Sequence, residues 1–139
     1  MKWFATFIFL ASLTMSSPSL ADIYIVTPSG NKEALDLGSI KEIFQANKQE
    51  WSDGKKVILV VPDVDSPEGK AMLEKVFGMT KEKFKKYWLG KLYRGEISAL
   101  PENKTGDSMK QFLKSYPYAI GILQGSQVDG ELRKAFKLD

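Results

Sequence analysis

Apolar and polar residues alternate along this chain in a way that is typical of an α/β fold. Ile40, Ile43, Phe44 and residues 46–47 follow a helical apolar rhythm that weakens toward Trp51. Ser39 is predicted to cap that helix with Glu42 at the capping-box position. An Asp-Gly dipeptide at residues 53–54 predicts a tight turn. The five apolar residues 57–61 then predict a strand that is covered on both faces. A helix that leads into a buried strand indicates layered α/β structure.

Two further strands are predicted, one near each end of the chain. The first covers residues 22–27 and is expected to break at residues 28–31, and the second covers residues 119–123. Residues 96–106 are expected to form a polar loop. Residues 132–138 fit either a helix or a strand, because their apolar positions match both periods.

Three further helices are predicted from polar caps followed by apolar faces. Ser66 is expected to cap the first, with Pro67 at the first helical position and Gly78 at the end. The second begins after Thr80, and the third begins at residue 107 or 108 and ends before a proline. The second helix is predicted to bury an aromatic stripe made of Phe84, Tyr87, Trp88 and Leu92.

The lysines beside that stripe have two interpretations. Lys81, Lys83, Lys85 and Lys86 alternate with aromatic residues, which is a pattern that can bind nucleic acid or an acidic partner. The helical spacing favours the plainer alternative, in which the aromatic residues face the core and the lysines face solvent.

The first 21 residues have the pattern of a secretory signal. Lys2 supplies a positive charge, residues 3–13 are apolar, and Ser19 and Ala21 are small residues at the −3 and −1 positions of a cleavage site. We therefore expect residues 1–21 to be removed after export, with an uncleaved membrane anchor as the alternative. Residues 22–139 are then expected to form one domain.

The amino-acid composition excludes several classes of function. The chain has no Cys and no His. An exported chain without disulfides points to a bacterial periplasm, and the missing Cys at the cleavage point excludes a lipoprotein anchor. The usual general base and any His or thiolate metal site are also absent, so we expect a non-enzyme without cofactor or metal. Without Lys2 the net charge is +2, which gives no reason to expect a nucleic-acid partner.

Several motifs occur in an informative order. Ile43 and Phe44 end a helix, Trp51 precedes the Asp-Gly turn, and a Tyr-Trp pair and an Ala-Ile-Gly strand follow at residues 87–88 and 119–121. In this order, over about residues 35–123, they resemble the phosphate-type periplasmic substrate-binding proteins of ABC transporters. The resemblance implies an α/β three-layer sandwich like one lobe of a type II periplasmic binding protein.

The chain departs from that family pattern in two ways. The family has two lobes that close on a ligand, and this chain has room for one. The family's ligand loop resembles Ser-Gly-Thr at a helix N-terminus. Here Ser66 remains, Pro67 replaces the glycine, and Glu68 takes the place of the threonine.

The first candidate ligand site is the helix start at Ser66 and Gly69. Free N–H groups at such a start attract anions, so these residues could hold phosphate or another small anion. Asp63, Asp65 and Glu68 bring three negative charges to the same loop and oppose that binding. The alternative is that Ser66 is an ordinary N-cap.

Two other loops are weaker candidates. Thr27, Ser29 and Gly30 follow the first strand, at the kind of position where open α/β sheets bind ligands. An ordinary turn is the alternative there. Residues 104–108 are another possible helix start, and they fit a solvated loop equally well.

Two functional hypotheses follow. The first is an exported, substrate-binding-protein-like domain that binds phosphate or another small anion for ABC-type uptake, with a membrane transporter as partner. The second is a module without ligand binding that docks on a membrane or periplasmic partner. The resemblance favours the first, and the acidic loop around Ser66 favours the second.

Overall fold

The computed structural model describes residues 22–139, so the predicted signal at residues 1–21 lies outside the described residues. Its strands and α-helices follow one another in the order β1 (Ile23–Pro28), α1 (Leu37–Phe44), β2 (Ile58–Val61), α2 (Pro67–Met72), α3 (Lys81–Tyr93), β3 (Glu102–Asn103), α4 (Asp107–Ser115), β4 (Ala119–Gln124) and β5 (Leu132–Lys137). A π-helical turn at Leu73–Phe77 continues α2, and a 3-10 turn at Gly125–Gln127 follows β4.

The described strands form one mixed sheet in the order β3-β2-β4-β1-β5. Strand β2 runs parallel to β3 and β4, whereas β1 runs antiparallel to β4 and β5. Ile58 pairs with Ala119, and Ile23 pairs with Gln124. The carboxyl ends of β2 and β4 therefore lie at one edge of the sheet, and the carboxyl end of β1 lies at the opposite edge.

Side chains alternate between the two faces of the sheet, and helices cover both faces. Ile25 on β1 and Ile120 on β4 pack with α1, α2 and α3. Val26 and Leu123, from the same two strands, pack against Met109 and its neighbours on α4. Period-two alternation sends neighbouring residues to opposite faces. The predicted three-layer α/β sandwich is confirmed.

Most of the predicted helix ends are confirmed. The Ser66 hydroxyl accepts the Gly69 N–H at 3.0 Å, and the Thr80 hydroxyl accepts an N–H at 3.3 Å. Gly78 follows the π-helical turn with a φ of 59°, a left-handed conformation that suits glycine. In α3, Phe84 and Trp88 are buried while the four lysines of its first two turns are exposed, as predicted.

The predicted cap of α1 is wrong by three residues. Asp36 is the N-cap, and its carboxylate accepts the Ser39 N–H at 2.7 Å. Ser39 lies in the first turn, and its hydroxyl accepts the Asp36 N–H at 3.0 Å. The capping box is therefore Asp36 with Ser39, because each side chain accepts the backbone N–H of the other residue. Glu42 takes no part in it.

The strand predictions need three corrections. Strand β2 begins at residue 58, and its first half is only half-buried because β3 pairs with Val60 and Val61 alone. The loop predicted at residues 96–106 contains β3, two polar residues that carry no strand pattern. Pro28 belongs to β1 and pairs with Leu132, at the strand end where a missing N–H is tolerated.

The undecided segment at residues 132–138 is a strand. β5 occupies Leu132–Lys137 and pairs antiparallel with β1, with a register shift between Ile25 and Val26. The partner strand decides the conformation, since the local pattern fits both periods.

Candidate functional site

The structure places the candidate site residues at opposite edges of the sheet. Residues 63–69 and 104–108 lie at the carboxyl end of β2, and we call these two segments the Ser66 edge. Residues 27–33 lie at the other end, beside the start of β4, and we call them the Thr27 edge. The two edges lie at opposite ends of β2. The three residue steps from Ile58 to Val61 span about 10 Å, so the edges are at least that far apart. Ser66 and Gly69 therefore cannot share one small anion with Thr27, Ser29 and Gly30.

At the Ser66 edge, the Ser66 side chain is already fully engaged. Its hydroxyl donates to the Asp63 carbonyl at 2.5 Å and accepts the Gly69 N–H. Pro67 offers no N–H, so the Glu68 N–H is the one left over in residues 67–69. The arrangement is that of a capped helix start. An anion here would compete with the Ser66 hydroxyl for the Gly69 N–H.

Gly69 packs directly on the backbone of the loop before the helix. A Cβ at this position would overlap the Asp63 carbonyl oxygen and would lie 2.6 Å from both the Asp63 carbonyl carbon and the Val64 Cα. The glycine is therefore needed for close approach, and this requirement accounts for it without a ligand.

A second helix begins at the same edge. The Asp63 N–H donates to the Thr105 hydroxyl at 2.8 Å, and the Lys104 N–H donates to the Val61 carbonyl at 3.0 Å. Helix α4 starts directly after this contact. Gly106 is its N-cap, with a φ of 61°, and no side chain of the described residues caps α4. The contact thus brings the first and third sequence candidates together.

The charges at the Ser66 edge are mostly negative. Asp63 and Asp65 are exposed, and the Asp63 carboxylate accepts the Asp65 N–H at 2.9 Å. Lys81 forms a 3.4 Å ion pair with Asp65. Glu68, expected to face the ligand loop, is buried with 3% of its surface exposed. Because Asp107 at the start of α4 is also exposed, three exposed carboxylates lie next to the helix starts, and Lys81 partly compensates one of them.

At the Thr27 edge, polar groups hold the fold together. Thr27 is fully buried, and its hydroxyl accepts from Arg133 Nε at 3.2 Å. The same guanidinium donates to the Glu33 carbonyl at 2.8 Å. The Ser29 N–H donates to the Glu131 carbonyl at 3.0 Å. Thr27 therefore has a structural partner that the sequence did not reveal, because Arg133 is 106 residues away.

An open cavity of about 750 Å³ lies at the Thr27 edge. Ser29 and Gly30 line it together with the Glu33 and Ser52 side chains. Burial raises the pKa of Glu33, but hydrogen bonds from the Ser52 hydroxyl and N–H and an ion pair with Lys48 outweigh it and leave the pKa below its usual value. Three acids and two lysines line the cavity, so negative charge prevails there and makes it a poor site for an anion.

No group of three or more acidic, His or Cys side chains in residues 22–139 is arranged to hold a metal ion. Among the helices of that part of the chain, none combines the length and apolar content needed to cross a bilayer.

Comparison with known proteins identifies the fold. No protein-family model matches the sequence, and no curated protein sequence is similar to it. Among solved structures, a Clostridium perfringens protein described as a phosphate ABC transporter substrate-binding protein, with bound phosphate, superposes with a TM-score of 0.63 at 21% identity. That match covers 81% of this chain and 43% of the other.

Two further structures have the same fold. An ABC-type phosphate transport receptor from Vibrio cholerae gives a TM-score of 0.59 at 14% identity, over 81% of this chain and 44% of that one. PstS from Borrelia burgdorferi gives 0.53 at 13% identity, over 73% and 39%. This chain thus spans less than half the length of each of the three structures. It has the fold of phosphate-type substrate-binding proteins, over a length that matches a single lobe.

Proposed function

We propose that this chain is a substrate-binding-protein-like domain that binds a small anion of the phosphate type at the Ser66 edge. One observation carries the proposal: α2 and α4 begin side by side there, tied by the Asp63 N–H bond to Thr105. Two helix starts direct backbone N–H groups and positive dipole ends at one place. We propose the Thr105 hydroxyl and the Glu68 N–H as the groups nearest to the anion, because the hydroxyls of Ser66 and Ser108 already donate to backbone carbonyls.

The proposed setting is a bacterial periplasm. The signal pattern at residues 1–21 supports export, and the fold supports ABC-type uptake with a membrane transporter as partner. Binding, without catalysis, is the proposed activity. If export is correct, the protein isolated from the periplasm begins at Asp22, as N-terminal sequencing would reveal. A protein that keeps residues 1–21 contradicts the cleavage.

Calorimetric titration with phosphate and sulfate tests the anion site. The chain from Asp22 to Asp139 contains every described helix and strand, so it is the protein to titrate. We expect saturable heat with at least one of the two anions at millimolar concentration or below. Absence of heat at millimolar ligand contradicts anion binding.

A charge variant localises the site. Asp63→Asn with Asp65→Asn removes the two exposed carboxylates of the loop before α2 and keeps oxygen acceptors in the same places. Because like charges repel, we expect phosphate to bind at least tenfold more tightly, roughly the effect of two unit charges on a dianion in water. Asp53→Asn, at the opposite edge, is the matched control and should leave affinity unchanged. Equal effects of the two changes contradict a site at the Ser66 edge.

The second candidate function is an interaction module that does not bind a ligand. It is favoured by the engaged Ser66 hydroxyl, the missing N–H of Pro67 and the three exposed carboxylates at the Ser66 edge. If titration gives no heat, this function replaces the first. A periplasmic crosslinking experiment then tests it, and failure to recover one specific partner in stoichiometric amounts contradicts it.

A further inference from the structure

The outward face of α3 carries two exposed apolar side chains that the fold does not use. Leu89 is 41% exposed and Tyr93 is 83% exposed, and they lie one helical turn apart. Residues four apart occupy the same side of a helix. The inward side of α3 is buried in the core. Its Phe84 and Trp88 rings pack against the Phe77 ring, with centroid distances of 4.9 and 6.3 Å respectively. Helix α3 is therefore apolar on two sides.

Positive charge surrounds this outward ridge. Helix α3 contains five lysines and one acidic residue. Lys91 is buried against Asn47, and Lys81 pairs with Asp65. Among the described residues, none of the other three, Lys83, Lys85 and Lys86, forms a salt bridge. On a helical projection Lys86 and Glu82, the one acidic residue of α3, lie on the ridge, and Lys83 and Lys85 lie on its two flanks, so lysines outnumber the acid on this face.

The end of the helix adds a fixed cation. The Arg94 guanidinium lies against Gly90, where a Cβ would come within 2.9 Å of it, and it is held by Glu96 at 2.9 Å. Because Gly90 has no side chain, the Arg94 guanidinium lies directly over the helix at this residue. Helices that lie on lipid surfaces typically carry aromatic and aliphatic side chains flanked by long cationic side chains.

The size of the face decides between a lipid and a protein partner. A helix of 13 residues is about 20 Å long and about 10 Å wide, which offers about 200 Å². A stable protein partner needs about 800 Å² on each side. The face is also a convex ridge, so a flat and deformable anionic surface fits it better than a preformed protein groove.

We propose that α3 docks this domain on an anionic phospholipid surface, with Tyr93 and Leu89 at the headgroup level and Lys83, Lys85 and Lys86 on the lipid charges. The docking does not depend on anion binding at the Ser66 edge. Failure of one proposal is therefore distinguishable from failure of the other.

Sedimentation with large vesicles tests the docking. The chain from Asp22 to Asp139 is used, so that the apolar residues 3–13 cannot bind lipid themselves. Vesicles of phosphatidylcholine with 30% phosphatidylglycerol are compared with pure phosphatidylcholine in 50 mM NaCl. We expect binding only to the anionic vesicles and its loss in 500 mM NaCl, because salt screens the lysines.

Two variants locate the surface. Lys85→Glu with Lys86→Glu should weaken vesicle binding at least tenfold, since each lysine near an anionic surface contributes about fivefold. Lys55→Glu with Lys56→Glu makes the same charge change on a turn away from α3 and should weaken binding far less. Tyr93→Ala should weaken binding about threefold at unchanged charge, whereas Tyr116→Ala should not.

Three results overturn the proposal. They are absence of binding to the anionic vesicles, equal binding to both vesicle types, and equal effects of the two lysine pairs. Circular dichroism of each variant shows whether it is folded. A variant that unfolds is replaced by Lys85→Gln with Lys86→Gln, which removes the charge without reversing it and should weaken binding in the same direction.

Discussion

The Asp63 carbonyl fills the space that a side chain would need at Gly69. The two residues meet because Ser66 caps α2 and pulls the loop over the first turn of the helix, with its hydroxyl bonded to both. The loop therefore rests on the helix backbone without a side chain between them. This contact fixes the path from β2 to α2, and with it the position of the Ser66 edge.

Gly69→Ala should destabilise the domain by about 3 kcal/mol, because backbone atoms must move to admit the methyl group. Gly30→Ala is the matched control. A Cβ at residue 30 meets nothing within 4 Å, so its effect should stay within about 0.5 kcal/mol. Urea unfolding measures both. Equal midpoints for Gly69→Ala and the unmodified protein contradict the close contact.

Arg133→Ala should cost about 2 kcal/mol of unfolding free energy. The change removes two charged hydrogen bonds and leaves the hydroxyl of the fully buried Thr27 without its donor. Arg94→Ala removes an arginine that is exposed and paired with Glu96, so we expect less than about 1 kcal/mol. Thermal or urea unfolding compares the two. A larger loss for Arg94→Ala would count against the role of Arg133.

The two buried tryptophans should respond differently to replacement by phenylalanine. The Trp51 indole donates to the Tyr118 carbonyl at 3.0 Å, whereas the Trp88 indole N–H has no acceptor within residues 22–139. Both rings are about 95% buried, so the lost volume is comparable. Trp51→Phe should therefore cost about 1 kcal/mol more than Trp88→Phe in urea unfolding. Equal costs, or the reverse order, contradict this reasoning.

Asp129 should link stability to pH in the acid range. The Lys114 ammonium, 2.6 Å away, lowers the pKa of Asp129 from 3.8 to about 2. A carboxylate with a lowered pKa stabilises the folded state above its unfolded pKa, and loses that effect as pH falls through the folded value. The stability difference between the unmodified protein and Asp129→Asn should thus be constant above about pH 5, fall as pH drops toward 2, and vanish only below about pH 2.

The control for this pH dependence is Asp65→Asn. Its ion pair with Lys81 is longer, at 3.4 Å, and both side chains are at least half exposed. Such a pair contributes little, so the difference should be small at every pH. Denaturant unfolding from pH 2 to pH 8 measures both variants. A pH-independent difference for Asp129→Asn would show that folding does not lower the pKa of Asp129.

Local chemistry made much of the fold predictable from the sequence. Ser66 followed by Pro67, and Gly78 at the end of an apolar face, act over a few residues, and they appear in the structure as predicted. The cap of α1 was missed because Asp36 and Ser39 are both residue types that commonly cap helices. Sequence pattern alone does not decide which residue is the cap.

Features that depend on distant partners were not predictable. The strand conformation of residues 132–137 is set by β1, and the two polar residues of β3 become a strand only beside β2. For the same reason, the sequence did not show that the candidate site residues lie at two separate places. Thr27 and Ser66 both follow a strand, and only the antiparallel pairing of β1 with β4 places them at opposite edges.

The position of β1 between β4 and β5 has a consequence for biosynthesis. Residues 23–28 pair only with residues 119–124 and 132–137 among the described strands. A ribosome must therefore synthesise more than 90 residues after the first strand before either neighbour exists. Loop closure over such distances is slow. The nascent chain remains without a closed sheet during most of its synthesis, which is the condition that threading through a narrow translocation pore requires.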